Sequence, residues 1–154
     1  MEEPKAILAI AWGGFAAGAL DITAAFVTWG LKGMSPGRIL QSIASGLLGA
    51  NAYKGGFSTA VLGAALHFLI AFTAAAVFYA ASRKLTFLVQ RAVIWGLLYG
   101  VTVYVFMYFL VLPLAGIKSR FTLTAVAIAV MTHMLCVGLP ISLVVRRYST
   151  AAME

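Results

Sequence analysis

Four side chains that can exchange protons lie near the middle of four long hydrophobic runs in this chain: Asp21, His67, Tyr104 and His133. Counted at about 1.5 Å per helical residue, all four fall within about 5 Å of the middle of the bilayer if their runs cross it. Ionisable groups are costly in hydrocarbon, so they face the protein interior and often mark proton or ion pathways. The spacing therefore predicts a polar cluster at mid-depth in a helical membrane protein.

Composition places the chain in the membrane class. It has 63% hydrophobic and 10% charged residues, whereas soluble domains are roughly one quarter charged. Each apolar run exceeds the roughly 20 residues that cross about 30 Å of hydrocarbon. The predicted transmembrane helices are 6–31, 57–81, 89–114 and 121–145, in one membrane domain covering 1–154. The net charge of +7 comes from residues beside the runs, which indicates anionic lipid headgroups rather than nucleic acid as the partner.

Small residues share helix faces with the polar groups. Glycines precede the polar residue at helical spacing in the first three runs; they are Gly14, Gly18, Gly63, Gly96 and Gly100. Such faces let membrane helices approach closely, so each polar group is expected to point at protein. In the fourth run, Cys136 and Pro140 share a face with His133, and Pro140 is expected to kink the helix by removing a backbone hydrogen bond.

The connection between the first two runs predicts an additional helix over 36–50. Ser35 is a typical N-cap and Pro36 suits the first helical position. The polar residues Arg38, Gln41 and Ser45 are expected on one face. The opposite, apolar face is Ile39, Leu40, Ile43, Leu47 and Leu48. This length is too short to span, so an amphipathic helix in the interface is favoured over a re-entrant segment.

Four crossings put both termini on one side of the membrane. Six basic residues then flank that side and five the other; the five are Lys32, Arg38, Lys54, Lys118 and Arg120. The positive-inside rule gives cytoplasmic termini a slight preference, and dual insertion stays open. Trp12-Gly13 recurs as Trp95-Gly96, which suggests a 2+2 parallel repeat within an all-α four-helix bundle.

Three functions are compatible with these residues. The leading hypothesis is proton-coupled, small-solute or ion transport or permeation through the Asp/His/His/Tyr cluster. The second is a structural or accessory protein that binds a membrane partner, or a second copy, through its small-residue faces. The third is a metal or haem site at His67, His133 and Cys136, although CxxC, HxxxH and HExxH spacings are lacking. No cofactor is expected, and an enzyme is disfavoured because Asp21 is the only acid within a run.

The order of features resembles the YagU family of small bacterial inner-membrane proteins. The likeness rests on a glycine-rich first helix, histidines in the second and fourth, and three short motifs. The motifs are Gly96-Leu97-Leu98, Pro113-Leu114-Ala115-Gly116 and Arg146-Arg147. The gap between His133 and the arginines is longer here, and Asp21 has no counterpart in the family. The resemblance implies four helices in a bacterial inner membrane and no particular mechanism.

Overall fold

The structure is a computed structural model that describes residues 3–116 and 122–150. Every regular element in these two ranges is helical. In chain order the α-helices are α1 (Glu3–Gly30), α2 (Pro36–Leu48), α3 (Gly56–Lys84), α4 (Phe87–Gln90), α5 (Ala92–Phe106 continued by Leu112–Leu114) and α6 (Leu123–Thr132 continued by Leu139–Thr150). A 3-10 helix, Gly49–Lys54, joins α2 to α3. The predicted helix start at 121 and the basic residues Lys118 and Arg120 lie outside the described residues.

Four of these helices, α1, α3, α5 and α6, are long and apolar enough to cross a membrane. This confirms the all-helical fold and the four spanning-length helices expected from the sequence. Their bounds differ from the prediction by up to five residues; α1 begins at Glu3 instead of 6 and α3 ends at Lys84 instead of 81. Helix α5 begins at Ala92 because Arg91, with φ −116° and ψ 53°, interrupts the helix that starts at Phe87. Helix α6 continues through Arg146 and Arg147 to Thr150 instead of ending at 145.

The helices pack through small side chains. Helix α1 contacts α3 on one side and α6 on the other, while α5 packs mainly on α6. The fully buried core is rich in alanine and short branched residues: Ala9, Ala17, Ala75, Phe78, Val137, Ile141 and Val145. Because such side chains are short, helix backbones can come close together, as expected where lipid provides no hydrophobic drive for association.

The predicted glycine faces lie at helix contacts within the chain. Gly14 and Gly18 of α1 face Phe72 and Phe68 of α3. On α5, Gly96 lies against Ser142 and Gly138, and Gly100 against the backbone of His133 and Met134. Gly63 lies against the Leu40 carbonyl of α2. A methyl group at any of these glycines would overlap a neighbour.

Two π-helical segments widen the spanning helices just before their prolines. Met107–Val111 precedes Pro113 in α5, and His133–Gly138 precedes Pro140 in α6. Proline lacks an N–H, and its ring collides with the carbonyl four residues earlier. The wider π turn relieves that conflict. The local distortion expected at Pro140 is therefore a π turn on its N-terminal side, with the last segment starting at Leu139 as regular α-helix.

Helix α2 begins at Pro36 with Ser35 as its N-cap, whose hydroxyl accepts from the Arg38 N–H, as predicted. The faces expected for this helix were partly wrong. Gln41 is buried, and its amide donates to the Gly56 carbonyl (3.0 Å) and the Thr59 hydroxyl (3.4 Å) at the start of α3. Leu47 and Leu48 of the apolar face are exposed. Arg38 is exposed and stacks over the Tyr53 ring, and the Ser45 hydroxyl donates to the Ser42 carbonyl of its own helix.

Candidate functional site

Tyr104 and His133 are brought together where α5 crosses α6. The two rings meet edge to face, with 5.6 Å between centroids and 72° between planes. Gly100, one turn before Tyr104, makes this possible because the α6 backbone at His133 rests on it. Tyr104 is buried, with 7% of its surface exposed, and its ring lies 5.6 Å from that of Tyr108. Three rings with polar groups therefore form a row, called here the Tyr–His row: His133, Tyr104 and Tyr108.

The hydrogen bond of His133 identifies its basic nitrogen. Its Nδ1 lies 2.8 Å from the Ala129 carbonyl oxygen, one turn back in α6. A carbonyl oxygen only accepts, so Nδ1 is the donor. In the neutral ring the lone pair then resides on Nε2. His133 also opens the π-helical segment, so it stands where the backbone of α6 departs from regular geometry.

His67 is held in the opposite tautomer. Its Nε2 lies 2.9 Å from the Gly18 carbonyl oxygen of α1, so Nε2 donates and Nδ1 keeps the lone pair. The absence of a side chain at Gly18 lets α3 approach closely enough for this bond, with Phe68 packed against the same glycine. The Phe68 ring also meets the His67 ring at 5.6 Å and 85°. The bond ties α3 to α1 at the depth of the cluster.

Asp21 lies one turn after Gly18 and is partly buried. The Gly18 carbonyl that accepts from His67 and the Asp21 side chain therefore belong to the same stretch of α1. Helix α1 also contacts the π-helical segment His133–Gly138 of α6, which contains Cys136.

The structure divides the four predicted residues between separate contacts. His133 and Tyr104 form a ring pair on α5 and α6, while the described hydrogen bond of His67 goes to Gly18. Within residues 3–116 and 122–150, no three His, Cys, Asp or Glu side chains are grouped as a metal site requires. The set His67, His133 and Cys136 therefore does not assemble as a ligand triad in the described chain.

Sequence reasoning missed one polar contact between spanning helices. The Tyr99 hydroxyl donates to the Ala74 carbonyl at 2.7 Å, and the Tyr99 ring lies 5.0 Å from Phe78. This contact joins α5 to α3 on the side of the predicted cluster that is nearer the turn between these two helices. A tyrosine in an apolar run next to Gly100 is the one signal that could have pointed to it, since its hydroxyl needs a partner when buried.

The fold and the placement of these groups define an all-helical protein with four helices of membrane-spanning length and ionisable side chains between them. Comparison with known proteins adds no identification: the chain matches no protein-family model, no curated protein and no solved structure.

Proposed function

We propose that this is a small integral membrane protein that transfers protons, or a small ion or solute coupled to them, through its mid-depth layer of Asp21, His67, Tyr104 and His133. The observation that supports the proposal is the hydrogen bonding of the two histidine rings. Each donates one ring N–H to a backbone carbonyl, which leaves one basic nitrogen per ring for proton exchange. Two fixed bases and one carboxylate at one depth suit a proton relay.

The arrangement in the membrane is part of the proposal. The four long helices insert as an antiparallel four-helix bundle, in a bacterial inner membrane as the YagU resemblance implies, with cytoplasmic termini. Helix α2 lies at the opposite interface, where its exposed Leu47 and Leu48 meet lipid and Gln41 anchors it to α3. Counted along the helices at ~1.5 Å per residue, the polar layer is displaced toward that side. The internal 2+2 repeat stays a prediction. The glycine contacts between α1 and α3 and between α5 and α6 are compatible with it.

A structural or accessory role is the second candidate. It is favoured by the same hydrogen bond of His67, since a bond between α3 and α1 also fixes helix register. The glycine faces are occupied by contacts within the chain. A partner or second copy that used them would have to displace Phe68, Phe72 or the α6 backbone. The lipid-facing surfaces are the alternative for such a partner.

Proton flux into liposomes separates the two candidates. Purified protein is reconstituted with an interior pH-sensitive dye, and a potassium gradient with valinomycin supplies the driving force. We expect flux above that of empty liposomes, and a loss of most of it in Asp21→Asn and in His133→Gln. Thr23→Val is the matched control, because Thr23 is exposed two residues from Asp21 and bonds only its own helix at Ala19. Wild-type flux no greater than empty liposomes would overturn the proposal.

Metal content of the purified protein tests the third hypothesis. Iron, copper and zinc are measured in the wild type and in a His67→Ala/His133→Ala variant. We expect no stoichiometric metal in either. Near-stoichiometric metal that disappears in the variant would replace the proton site with a metal or haem site.

A further inference from the structure

A crevice between α3 and α5 is distinct from the polar layer. It holds about 170 Å³ and is lined mainly by apolar side chains. The residues that shape it are Phe78, Ala81, Leu88, Trp95, Tyr99 and Thr102. Its apolar lining favours a hydrocarbon occupant over a polar headgroup, which would lose its hydration there.

The crevice follows α5 for about two turns. Its α5 wall runs from Trp95 to Thr102, which is about 10 Å at 1.5 Å per residue. Its inner end is bridged by the bond from Tyr99 to the Ala74 carbonyl. Its outer end is at the turn between α3 and α5, where Leu88 and Trp95 line it. An apolar groove that starts near the interface and follows α5 toward the membrane centre can accommodate part of a lipid acyl chain.

Basic side chains stand at the outer end. Lys84 closes α3 three residues after Ala81, and Arg91 lies in the chain between Leu88 and Trp95. Both are exposed. Among the described residues, the same end also carries Lys5, Arg83, Arg146 and Arg147, so it is rich in positive charge. A phosphate next to an acyl chain is the group that complements this charge.

We propose that the crevice between α3 and α5 binds one acyl chain of an anionic phospholipid, whose phosphate is held by Lys84 and Arg91. The inference depends on membrane insertion but not on proton transfer. It makes Trp95 a reporter inside the site.

Quenching of Trp95 by brominated lipid tests the site. The protein is given a single tryptophan by Trp12→Phe and Trp29→Phe, and is placed in nanodiscs of phosphatidylcholine. One fifth of the lipid is then replaced by chain-brominated phosphatidylglycerol or by chain-brominated phosphatidylcholine. We expect at least twofold stronger quenching by the anionic lipid, and loss of that preference in Lys84→Gln/Arg91→Gln. The matched control is Lys32→Gln/Arg38→Gln, at the other end of the helices.

Each alternative occupant gives its own result. Equal quenching by the two brominated lipids would mean general lipid contact and would overturn the proposal. Weak quenching by both brominated lipids would mean that a protein segment covers Trp95, and this result would also overturn the proposal. Ala81→Leu, which fills the crevice without altering charge, should reduce the preference and leave proton flux unchanged. Because proton flux and Trp95 quenching are measured separately, a negative result for proton transfer does not overturn lipid binding, and the reverse also holds.

Discussion

The imidazole ring of His133 stands on edge against the phenol ring of Tyr104, with ring centroids 5.6 Å apart. The Tyr104 ring is equally far from that of Tyr108, so the Tyr–His row runs from α6 along α5. Because Nδ1 of His133 donates to its own helix, Nε2 is the ring atom available to exchange a proton with a neighbouring hydroxyl or water. The packing of Tyr104 depends on its ring, whereas any role in proton transfer depends on its hydroxyl.

Tyr104→Phe separates these two roles. The ring is retained, so we expect the free energy of unfolding to change by no more than about 1 kcal/mol, the net contribution of a typical hydrogen bond. Proton flux in liposomes should fall about tenfold or more if the hydroxyl takes part in transfer. Tyr99→Phe is the control: it removes the bond to the Ala74 carbonyl and should lower stability with flux retained. Equal flux in both variants would contradict the role given to Tyr104.

Gly100→Ala tests the close contact that supports the row. A methyl group there would overlap the His133 carbonyl and the Met134 backbone, which cannot give way as a flexible side chain can. We expect a loss of about 1–3 kcal/mol, the usual cost of overpacking, measured as a lower unfolding temperature in detergent. Gly30→Ala should be neutral or slightly stabilising, because nothing lies within 4 Å of it. Similar unfolding temperatures for the two variants would show that α5 and α6 are not held this closely.

Gln41→Leu tests the attachment of α2 to α3. The substitution removes the bonds to the Gly56 carbonyl and the Thr59 hydroxyl at a site where Gln41 is 9% exposed. Loss of hydrogen bonds to buried acceptors costs about 1–3 kcal/mol. We expect faster hydrogen exchange in α2, with the spanning helices unchanged. Ser45→Ala, which loses only a bond within α2, should exchange like the wild type. Unchanged exchange in Gln41→Leu would mean that apolar packing at Ile39 and Ala44 suffices.

The elements could be predicted from the sequence because each has a strong local signal. Four apolar runs gave the four long helices, and Ser35 with Pro36 gave the start of α2. Counting along the runs also predicts a common depth for the polar residues, which stays a prediction. Depth depends only on residue number, whereas the direction a side chain faces depends on how its helix is rotated against its neighbours.

The rotation of each helix about its own axis could not be predicted from the sequence. The π turns before Pro113 and Pro140 each shift the register of the helix, so residues on either side no longer share the face that regular spacing predicts. His67 was expected beside Asp21 and His133, yet its N–H goes to the Gly18 carbonyl. Every residue has a backbone carbonyl, so the residue types do not show which one will accept a side-chain hydrogen bond. Gln41 was placed with the polar face of α2 for the same reason, since its partners at Gly56 and Thr59 become acceptors only once α2 packs on α3.

Pro140→Ala tests whether the π turn orients His133. Without the proline ring, the Cys136 carbonyl can accept a regular α-helical bond, and the wide turn at His133–Gly138 has no remaining cause. Without the extra residue of the π turn, the part of α6 before it rotates relative to the part after it. The rotation is that of one residue, about 100° at 3.6 residues per turn. His133 would then leave the edge of Tyr104. We expect stability equal to or above that of the wild type, since proline costs about 3 kcal/mol more than alanine inside a helix, together with a strong loss of proton flux.

A gain in stability with a loss of flux is the combination that identifies an orienting role for Pro140. Proton flux and unfolding temperature are measured on the same preparation, so a poorly folded sample is recognised at once. Pro36→Ala is the matched control, because that proline opens α2 and sets the register of no spanning helix; its flux should equal that of the wild type. If Pro140→Ala kept full flux, the orientation of His133 would have to come from the packing of Gly138 against Gly96 and Gly100. In that case Gly138→Ala, rather than Pro140→Ala, should abolish flux.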